Sequence, residues 1–296
     1  MSVIPPVKHA HQTFDLMIRP LDLAGVRTLV DWAAKEGWNP GLSDAELFFA
    51  ADPNGFYGCF IDDQLVAGGS VVSYGGEFGF MGLFIVKLQF RGAGIGKQLW
   101  HFRKNHLLSR LKKPAAIGMD GVVAMQPFYN QGGFDIHFRD ERYQRMGEVF
   151  AANPNVSPVN QNDLKAILEY DLLCFGVDRK DFLVPWIEQP HGYAVKYCLN
   201  QQLHGFAVIR KCQSGFKIGP LFADDGDIAE ALYEQCLTVA SGDLVFIDIP
   251  MLNQSAVRLV KKFQAEYVFE CARMYHGAPP KTPISKVFGI TSFELG

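Results

Sequence analysis

Residues 77–111 of the chain read EFGFMGLFIVKLQFRGAGIGKQLWHFRKNHLLSRL. An apolar run, Phe78 to Val86, leads through a short connector into Arg91-Gly92-Ala93-Gly94-Ile95-Gly96, and a segment with helical spacing follows at once. Closely spaced glycines allow a sharp turn and let a ligand approach the backbone, while the first N–H groups of the next helix point outward. This strand, loop and helix therefore predict an anion site, most simply one for phosphate.

The composition is that of a globular chain. Its 296 residues suffice for two domains of ordinary size. Hydrophobic residues make up 48% and charged residues 20%, which argues against long disordered segments. The net charge of −3, without a Lys/Arg block, gives no footprint for nucleic acid, and no apolar run has membrane-spanning length. We therefore expect neither a nucleic-acid nor a membrane partner.

The N-terminal stretch MSVIPPVKHAHQTFD has neither the basic start nor the apolar core of a signal peptide, so a cytoplasmic location is expected. The six cysteines lie far apart, form no C-x-x-C pair and have no histidines at metal-ligand spacing. Reduced thiols and no metal site are therefore predicted.

Hydrophobic periodicity predicts the same coarse order of elements in both halves of the chain, on either side of a linker at residues 151–158. In the first half, Ser43 and Glu46 have the spacing of a capping box before a short helix. The elements predicted there are strands at 14–20, 56–61, 65–74, 78–86 and 115–123, helices from about 22 to 35, after 43, after the glycine loop and around 129, and a strand ending at 138. In the second half they are helices near 163–173, 179–187, 227–239 and 254–263 and strands at 192–199, 203–210, 216–222, 244–249 and 267–273.

Two motifs resemble those of the GNAT superfamily of N-acetyltransferases. They are Val86-x-x-x-x-Arg91-Gly92-x-Gly94-Ile95-Gly96 and Phe128-Tyr129-x-x-x-Gly133-Phe134, and they sit after the fourth and fifth predicted strands. A Rossmann fingerprint would need G-x-G-x-x-G, and a Walker A loop would need glycine at Arg91 and Ser or Thr at Gln98, so neither fits. The resemblance covers about residues 13 to 147.

Further segments resemble the two-domain YitH-like subgroup of this superfamily: Trp32-x5-Trp38-Asn39-Pro40-Gly41, Phe175-Gly176-Val177-Asp178-Arg179 and Phe288-Gly289-Ile290-Thr291. The resemblance implies an α/β fold (α+β, mixed sheet) of tandem domains, each with a central, mostly antiparallel sheet flanked by helices. We predict a catalytic domain at residues 1–150 and a degenerate copy at residues 156–296.

The resemblance also implies where acetyl-CoA, the cosubstrate, binds. Main-chain N–H groups of the loop and the dipole of the next helix would hold the pyrophosphate. The acetyl-pantetheine arm would lie in a gap between the fourth and fifth strands lined by Phe84–Val86 and Ala116–Gly118, with a backbone N–H near Val86 polarising the thioester carbonyl. The implied cofactor-binding residues are Phe84, Ile85, Val86, Arg91, Gly92, Ala93, Gly94, Ile95, Gly96 and Lys97.

Tyr129 is the candidate general acid for the departing thiolate, since a phenol is protonated at neutral pH; the alternative is a core tyrosine. Asp120, within an apolar strand, is the preferred general base and amine-binding carboxylate, because unpaired burial of a charge is costly. A solvated carboxylate at a strand edge is the alternative interpretation of Asp120. Glu77, Asp135 and ordered water are the other candidates for the base.

The second half lacks the glycine loop and has an acidic connector, Ala223–Asp227, where negative charge would repel pyrophosphate. Val260 stands where the tyrosine of the motif would be, so one cofactor per chain is predicted. We expect this half to form one wall of the acceptor cleft, with Asp178, Arg179 and Arg273 as candidate substrate contacts. The alternative is that it only covers apolar surface.

The sequence thus predicts an acetyl-CoA-dependent N-acetyltransferase in which an amine of a small molecule or peptide attacks the thioester directly. The alternative functions are a non-catalytic acyl-CoA-binding or regulatory module and a structural protein without a ligand. No particular acceptor and no oligomeric state is predicted, since fold similarity does not name a substrate.

Overall fold

The computed structural model describes residues 16–296 of the chain, so the predicted beginning of the first strand lies outside the described residues. The first half has the predicted order of elements. They are β1 Met17–Pro20, α1 Leu23–Lys35, α2 Asp44–Ala51, β2 Phe56–Ile61, β3 Gln64–Tyr74, β4 Phe78–Val86, α3 Ile95–Arg110, β5 Ala116–Val122, α4 Gln126–Gln131 and β6 Asp135–Met146.

The second half repeats this order, with a short strand in the place of β1, and adds one further short strand near its end; the sequence predicted neither of the two. The first, β7, lies within the predicted linker, and the second, β13, lies near the C-terminus. The elements are β7 Val156–Pro158, α5 Leu164–Phe175, α6 Lys180–Glu188, β8 Gly192–Leu199, β9 Gln202–Lys211, β10 Phe216–Ala223, α7 Gly226–Val239, β11 Leu244–Pro250, α8 Gln254–Lys262, β12 Glu266–His276 and β13 Val287–Gly289.

Side-chain caps begin three of the eight α-helices in residues 16–296, namely α1, α7 and α8. The Asp22 carboxylate accepts a hydrogen bond from the Gly25 N–H at 2.9 Å and caps α1, and the apolar stripe of that helix is buried. The capping box predicted at Ser43 is wrong, because Ser43 makes no cap hydrogen bond. Glu46 instead accepts from Arg27 Nε at 2.8 Å.

A single mixed sheet joins the two halves. Its order is β1-β2-β3-β4-β5-β12-β6-β11-β10-β9-β8-β7, with β13 beside β10, so each half contributes its last long strand to the other. The reason is the length of β6, which runs on to Met146 instead of ending at Phe138. Its residues Asp140–Met146 pair with Leu244–Pro250 of β11. The two separate sheets expected from the sequence are therefore one.

Buried ion pairs fix the halves against each other. Arg142 of β6 donates two hydrogen bonds to the Asp248 carboxylate of β11, at 2.6 and 2.7 Å. Arg210 of β9 donates to Asp44 at the start of α2, and both side chains are fully buried. Removing one partner of such a pair leaves an uncompensated buried charge, so these contacts specify the arrangement strongly.

Each half has a pair of parallel strands that soon diverge. In the first half, β4 and β5 pair only through Phe78–Phe80 and Ala116–Gly118. In the second half, β10 and β11 pair through Phe216–Ile218 and Val245–Ile247. Beyond these short ladders the strands separate, and we call the two spaces the first gap and the second gap. Within residues 16–296, no helix combines the length and apolar character needed to cross a membrane.

Candidate active site

The first gap opens into a cavity of about 780 Å³. The edge of β4 supplies Phe84, Ile85 and Val86, as predicted. On β5 the lining begins at Met119, because Ala116–Gly118 still pair with β4; the predicted lining by those three residues is wrong. The cavity lining includes Glu36, Trp38, Met81, Gly82, Leu83, Phe84, Ile85, Val86, Arg91, Gly92, Gly94, Gly96, Lys97, Met119, Asp120, Val122, Met125, Phe128, Tyr129, Arg142, Phe269, Cys271, Phe293 and Glu294.

A β-bulge re-aims β4 where it borders the cavity. Gly68 opposes Ile85 and Ser70 opposes Gly82, so Gly69 alone faces Leu83 and Phe84. Leu83 has a φ of +48°, a conformation uncommon for a branched side chain and typical of functional sites. Past Phe80, the β4 edge that faces β5 pairs with no strand among residues 16–296. The Gly82 and Val86 carbonyls accept from arginine side chains, and the remaining backbone groups of this edge are available to a ligand.

Arg103 of α3 holds this bulge and was missed by sequence reasoning. Its guanidinium is fully buried and donates to the backbone carbonyls of Ser70, at 2.5 Å, and Gly82, at 2.7 Å. A side chain at position 69 would overlap this guanidinium, which explains the glycine there. Burial lowers the pKa of Arg103 to about 10, so it keeps its charge at neutral pH.

The glycine loop presents an uncapped helix start to the cavity. Gly92 and Gly94 have φ values of +82° and +80°, and, apart from adjacent backbone, no atom of residues 16–296 lies within 4 Å of the position a Cβ would take on either. Gly94 is the N-cap of α3 and offers no side-chain acceptor to the first N–H groups of the helix. These groups fit the phosphates of an acyl-CoA, which would approach the open face of the two glycines.

Two cations border the loop. Lys97 is exposed and makes no hydrogen bond or ion pair with any residue from 16 to 296, so its charge is free to meet an anion. Arg91 donates from Nε to the Val86 carbonyl at 2.8 Å and pairs with Glu36. Among the predicted cofactor residues, Ala93 and Ile95 do not line the cavity, and Ile95 is instead buried in the core beneath the loop.

Tyr129 lies on α4 at the wall of the cavity, only 5% exposed. Its ring packs on Trp100, with centroids 4.9 Å apart. The phenol oxygen has no hydrogen-bond partner among residues 16–296. Burial raises the pKa of Tyr129 to about 12, although the nearby Arg103 charge lowers it. The phenol is therefore protonated at neutral pH and can donate its proton into the cavity.

Asp120 also lines the cavity, and the second half holds it in place. Asp120 on β5 lies directly opposite Arg273 on β12, whose Nε and Nη2 donate to its two oxygens at 2.7 and 2.9 Å. Burial raises the pKa of Asp120 to about 6 against the opposing effect of Arg273. The other carboxylate candidates lie outside the cavity, since Glu77 is exposed and paired with Lys112, and Asp135 is exposed near Asn130.

The second half supplies one wall of the cavity, but not through the residues the sequence suggested. Arg179 is buried away from the cavity, where it pairs with Asp171 at 2.7 and 2.9 Å and donates to the Gly296 carbonyl at 3.0 Å. Asp178 is exposed and accepts from the Lys180 N–H. Their placement therefore does not favour the predicted substrate contacts. The wall is built by Phe269 and Cys271 of β12 and by Phe293 and Glu294 of the C-terminal tail.

Comparisons with known proteins agree with this geometry. A profile of the acetyltransferase (GNAT) family matches residues 23–134, and one of an acetyltransferase (GNAT) domain matches residues 167–289. Holothin acyltransferase of Pseudoalteromonas sp. (strain SANK 73390) is 30% identical over 290 residues, which cover 97% of this chain and 96% of that relative. The chain belongs to the GNAT family. It is accordingly an acyltransferase of the kind that uses an acyl-CoA donor.

Other GNAT relatives match along most of the chain. A protein named uncharacterized N-acetyltransferase YitH, from Bacillus subtilis (strain 168), is 22% identical over 237 residues, covering 78% of this chain and 80% of its own. The crystal structure of a candidate acetyltransferase of Pyrococcus horikoshii has a TM-score of 0.82 at 23% identity and covers 97% of this chain and 99% of that one. The predicted two-domain GNAT architecture is thus confirmed.

Proposed function

We propose that the chain is an acetyl-CoA-dependent N-acetyltransferase that moves an acetyl group to a primary amine by direct attack within a ternary complex. One observation carries the proposal. A single cavity of about 780 Å³ connects the glycine loop, the open edge of β4 and Tyr129. An anion site, a lined channel and a proton donor therefore border one cavity, as transfer from a phosphate-bearing thioester requires.

The loop and the β4 edge would bind the donor. The N–H groups at the start of α3, with Lys97, would hold the pyrophosphate. The backbone groups between Met81 and Val86 that no arginine engages would hold the pantetheine arm by hydrogen bonds. A backbone N–H at the bulge would then point to the thioester oxygen, where fixed dipoles stabilise developing negative charge better than mobile water does.

Tyr129 and Asp120 would handle the protons. As the C–N bond forms and the C–S bond breaks, Tyr129 would donate its proton to the sulfur, which leaves with the bonding electron pair. Asp120, ionised above its pKa of about 6, would draw the amine to the opposite side of the thioester and accept the proton that the nitrogen loses as the amide forms. Its position on the strand next to the gap supports this role over that of a solvated edge carboxylate.

Thiol release tests the proposal. The chain would be incubated with acetyl-CoA and a panel of primary amines, and free thiol measured, beside an equilibrium titration with acetyl-CoA. We expect binding at micromolar concentration and thiol release that requires an amine. Binding without release under any amine would instead support a non-catalytic acyl-CoA-binding module. Absence of binding, with no rise in melting temperature, would contradict the cofactor assignment.

A further inference from the structure

The C-terminal tail places an unpartnered carboxylate in the cavity. Glu294 is 4% exposed, and its Oε2 is inaccessible to solvent and has no hydrogen-bond partner. Among residues 16–296, its carboxylate makes neither a hydrogen bond nor an ion pair. Burial of a charged group without a partner is costly, so structural carboxylates are normally paired. Asp120 shows the contrast, since both its oxygens accept from Arg273.

The main chain at Glu294 and at the residue that follows it is held firmly. The Leu295 N–H donates to Ser292 Oγ at 3.0 Å, and the Tyr74 hydroxyl of β3 donates to the Leu295 carbonyl at 2.8 Å. The backbone carbonyl of Glu294 lies against Gly82, where any Cβ would overlap it. The tail therefore fixes the carboxylate at the cavity instead of leaving it free to turn to solvent.

Three buried cations lie near Glu294, and none of them makes a direct contact with its carboxylate among residues 16–296. Arg210 is held in the buried ion pair described above and reaches Glu294 only through space, although its Nη1 has no hydrogen-bond partner in the described part of the chain. Arg142 directs Nε and Nη2 to Asp248 and Nη1 to the Trp38 carbonyl. Lys217, also buried, donates to the same carbonyl at 3.3 Å, and its charge reaches Glu294 only through space. The protein thus holds a carboxylate that lacks a direct cationic partner of its own. A ligand that carries one positive charge and N–H donors would supply the missing partner of this carboxylate.

Aromatic side chains line the cavity that Glu294 borders. Phe269 and Phe293 pack with their centroids 5.8 Å apart, and Trp38 and Phe128 also line the space. Such walls bind flat apolar groups well and add a favourable contact to a cation. An aliphatic polyamine would fit this cavity less well. It has no flat apolar part to pack on the aromatic walls, and its several positive charges would meet too few carboxylates.

We propose that Glu294 binds the ammonium group of the acceptor, and that this acceptor is a primary amine on a flat, apolar body. This assignment rests on the proposed function and names its acceptor class. It also gives the second half a task, since the tail of the degenerate copy would carry the residue that selects the substrate of the first half.

The test compares three proteins: the wild type, Glu294→Gln, and Glu169→Gln as a control on the exposed face of α5. Each is saturated with coenzyme A, which cannot transfer an acyl group, and titrated calorimetrically with 2-phenylethylamine, tryptamine or the neutral 2-phenylethanol. We expect both amines to bind the wild type and the control alike, and at least tenfold more weakly to Glu294→Gln, with 2-phenylethanol unaffected. Acetyl-CoA affinity should be equal in all three proteins, which also reports on folding.

The outcomes separate the two proposals. Equal amine affinity in Glu294→Gln and wild type would overturn the role of Glu294, and failure of both amines to bind the wild type would overturn the acceptor class. If the amines bind as expected but the wild type releases no thiol from acetyl-CoA in their presence, the proposed transfer fails while the amine site stands. If acetyl-CoA does not bind, the cofactor assignment fails.

Discussion

The two gaps of the sheet begin alike and end differently. Each follows a parallel ladder of three residue pairs, after which the strands diverge. The first gap holds a cavity. In the second gap β13 pairs with β10 at Leu221 and Phe222, and the Ile290 N–H donates to the Asp248 carbonyl of β11 at 2.9 Å. The chain thus fills the second gap with its own backbone, so topology alone does not make a binding site.

The helices that follow the two gaps differ in the same sense. Gly94 caps α3 without a side chain, whereas the Asp225 carboxylate accepts from the Ile228 N–H at 3.0 Å and caps α7. A helix start that carries its own anion repels another. The second half therefore differs from the first at both places where an acyl-CoA would need to bind.

The largest expected difference is that the first gap binds acetyl-CoA and the second gap does not. A calorimetric titration with acetyl-CoA should show one site per chain, because β13 and Asp225 exclude a second ligand from the second half. A stoichiometry of two would break the comparison. Gly92→Asp places an acid in the glycine loop of the first half. If one acetyl-CoA still binds to this variant, the binding site would have to be assigned to the second half instead.

Truncating the residue that fills the second gap should cost stability. Phe288 on β13 is fully buried, and Phe288→Ala should lower the free energy of unfolding by about 3–5 kcal/mol, as large-to-small changes in tight cores do. The matched change Phe84→Ala, at the open first gap, should cost clearly less because that side chain already borders a cavity. Urea denaturation of both variants measures this, and equal losses would contradict the distinction between a filled gap and an open one.

Loss of the Tyr129 hydroxyl should separate catalysis from binding. We expect Tyr129→Phe to lower kcat roughly 100-fold, the typical worth of a general acid, with the acetyl-CoA dissociation constant nearly unchanged. Tyr193→Phe, on a partly exposed tyrosine of β8, should leave kcat as in the wild type. Retained turnover in Tyr129→Phe would make Tyr129 a core residue, the alternative that its packing on Trp100 also permits.

The open geometry of the glycine loop should matter for affinity by a smaller amount. In Gly94→Ala, the left-handed backbone conformation that the loop needs for binding costs about 1–2 kcal/mol of strain, because the new residue has a Cβ. The acetyl-CoA affinity should therefore fall by about 5- to 30-fold. Gly242, before β11, has a φ of +85° and equally open surroundings. Gly242→Ala should therefore lower stability without changing acetyl-CoA affinity. Equal affinities in the two variants would remove the loop from the binding site.

What the sequence predicted well was local. The period of the apolar residues located nearly every long strand and helix, and the glycine spacing located the uncapped start of α3. Tyr129, from the second motif, and Asp120, from the fifth predicted strand, both line one cavity. These features depend on residues close together in the chain, where turn and helix chemistry leave few alternatives.

What the sequence did not predict depends on distant partners. The apolar patterns of β6 and β12 fit a place in either half of the sheet. The exchange of these two strands between the halves therefore became visible only from the pairing of Asp140–Met146 with β11. The three residues of β13 are too few to show a hydrophobic period in the sequence. Glu294 has no pattern around it, and Arg179 has the charge of a substrate contact but is used internally by Asp171. Burial and pairing, not residue type, decide these cases.

The smallest expected effect follows the charge of Asp120. Its pKa is raised to about 6 by burial, so below pH 6 it becomes neutral and leaves the Arg273 charge uncompensated beside the cavity. The affinity for 2-phenylethylamine should therefore be about twofold lower at pH 6 than at pH 8, since a group is half protonated at its pKa.

The stability of the fold should change with pH in the opposite direction. The native pKa exceeds the usual carboxyl value, so the native state retains a proton that the unfolded chain loses, and unfolding becomes easier as pH rises from about 4 to 6.

Three other carboxyl groups lie near Asp120. Glu294 and Asp248 raise its pKa further, and Asp140, whose buried carboxyl has no hydrogen-bond partner among residues 16–296, has its own pKa raised well above the usual carboxyl value. Asp120→Asn should abolish the step in amine affinity near pH 6, whereas Asp140→Asn should preserve it. A step that persists in Asp120→Asn would belong to another of these carboxylates. It would then be that group, and not the Asp120–Arg273 pair between the halves, that sets the charge of the cavity.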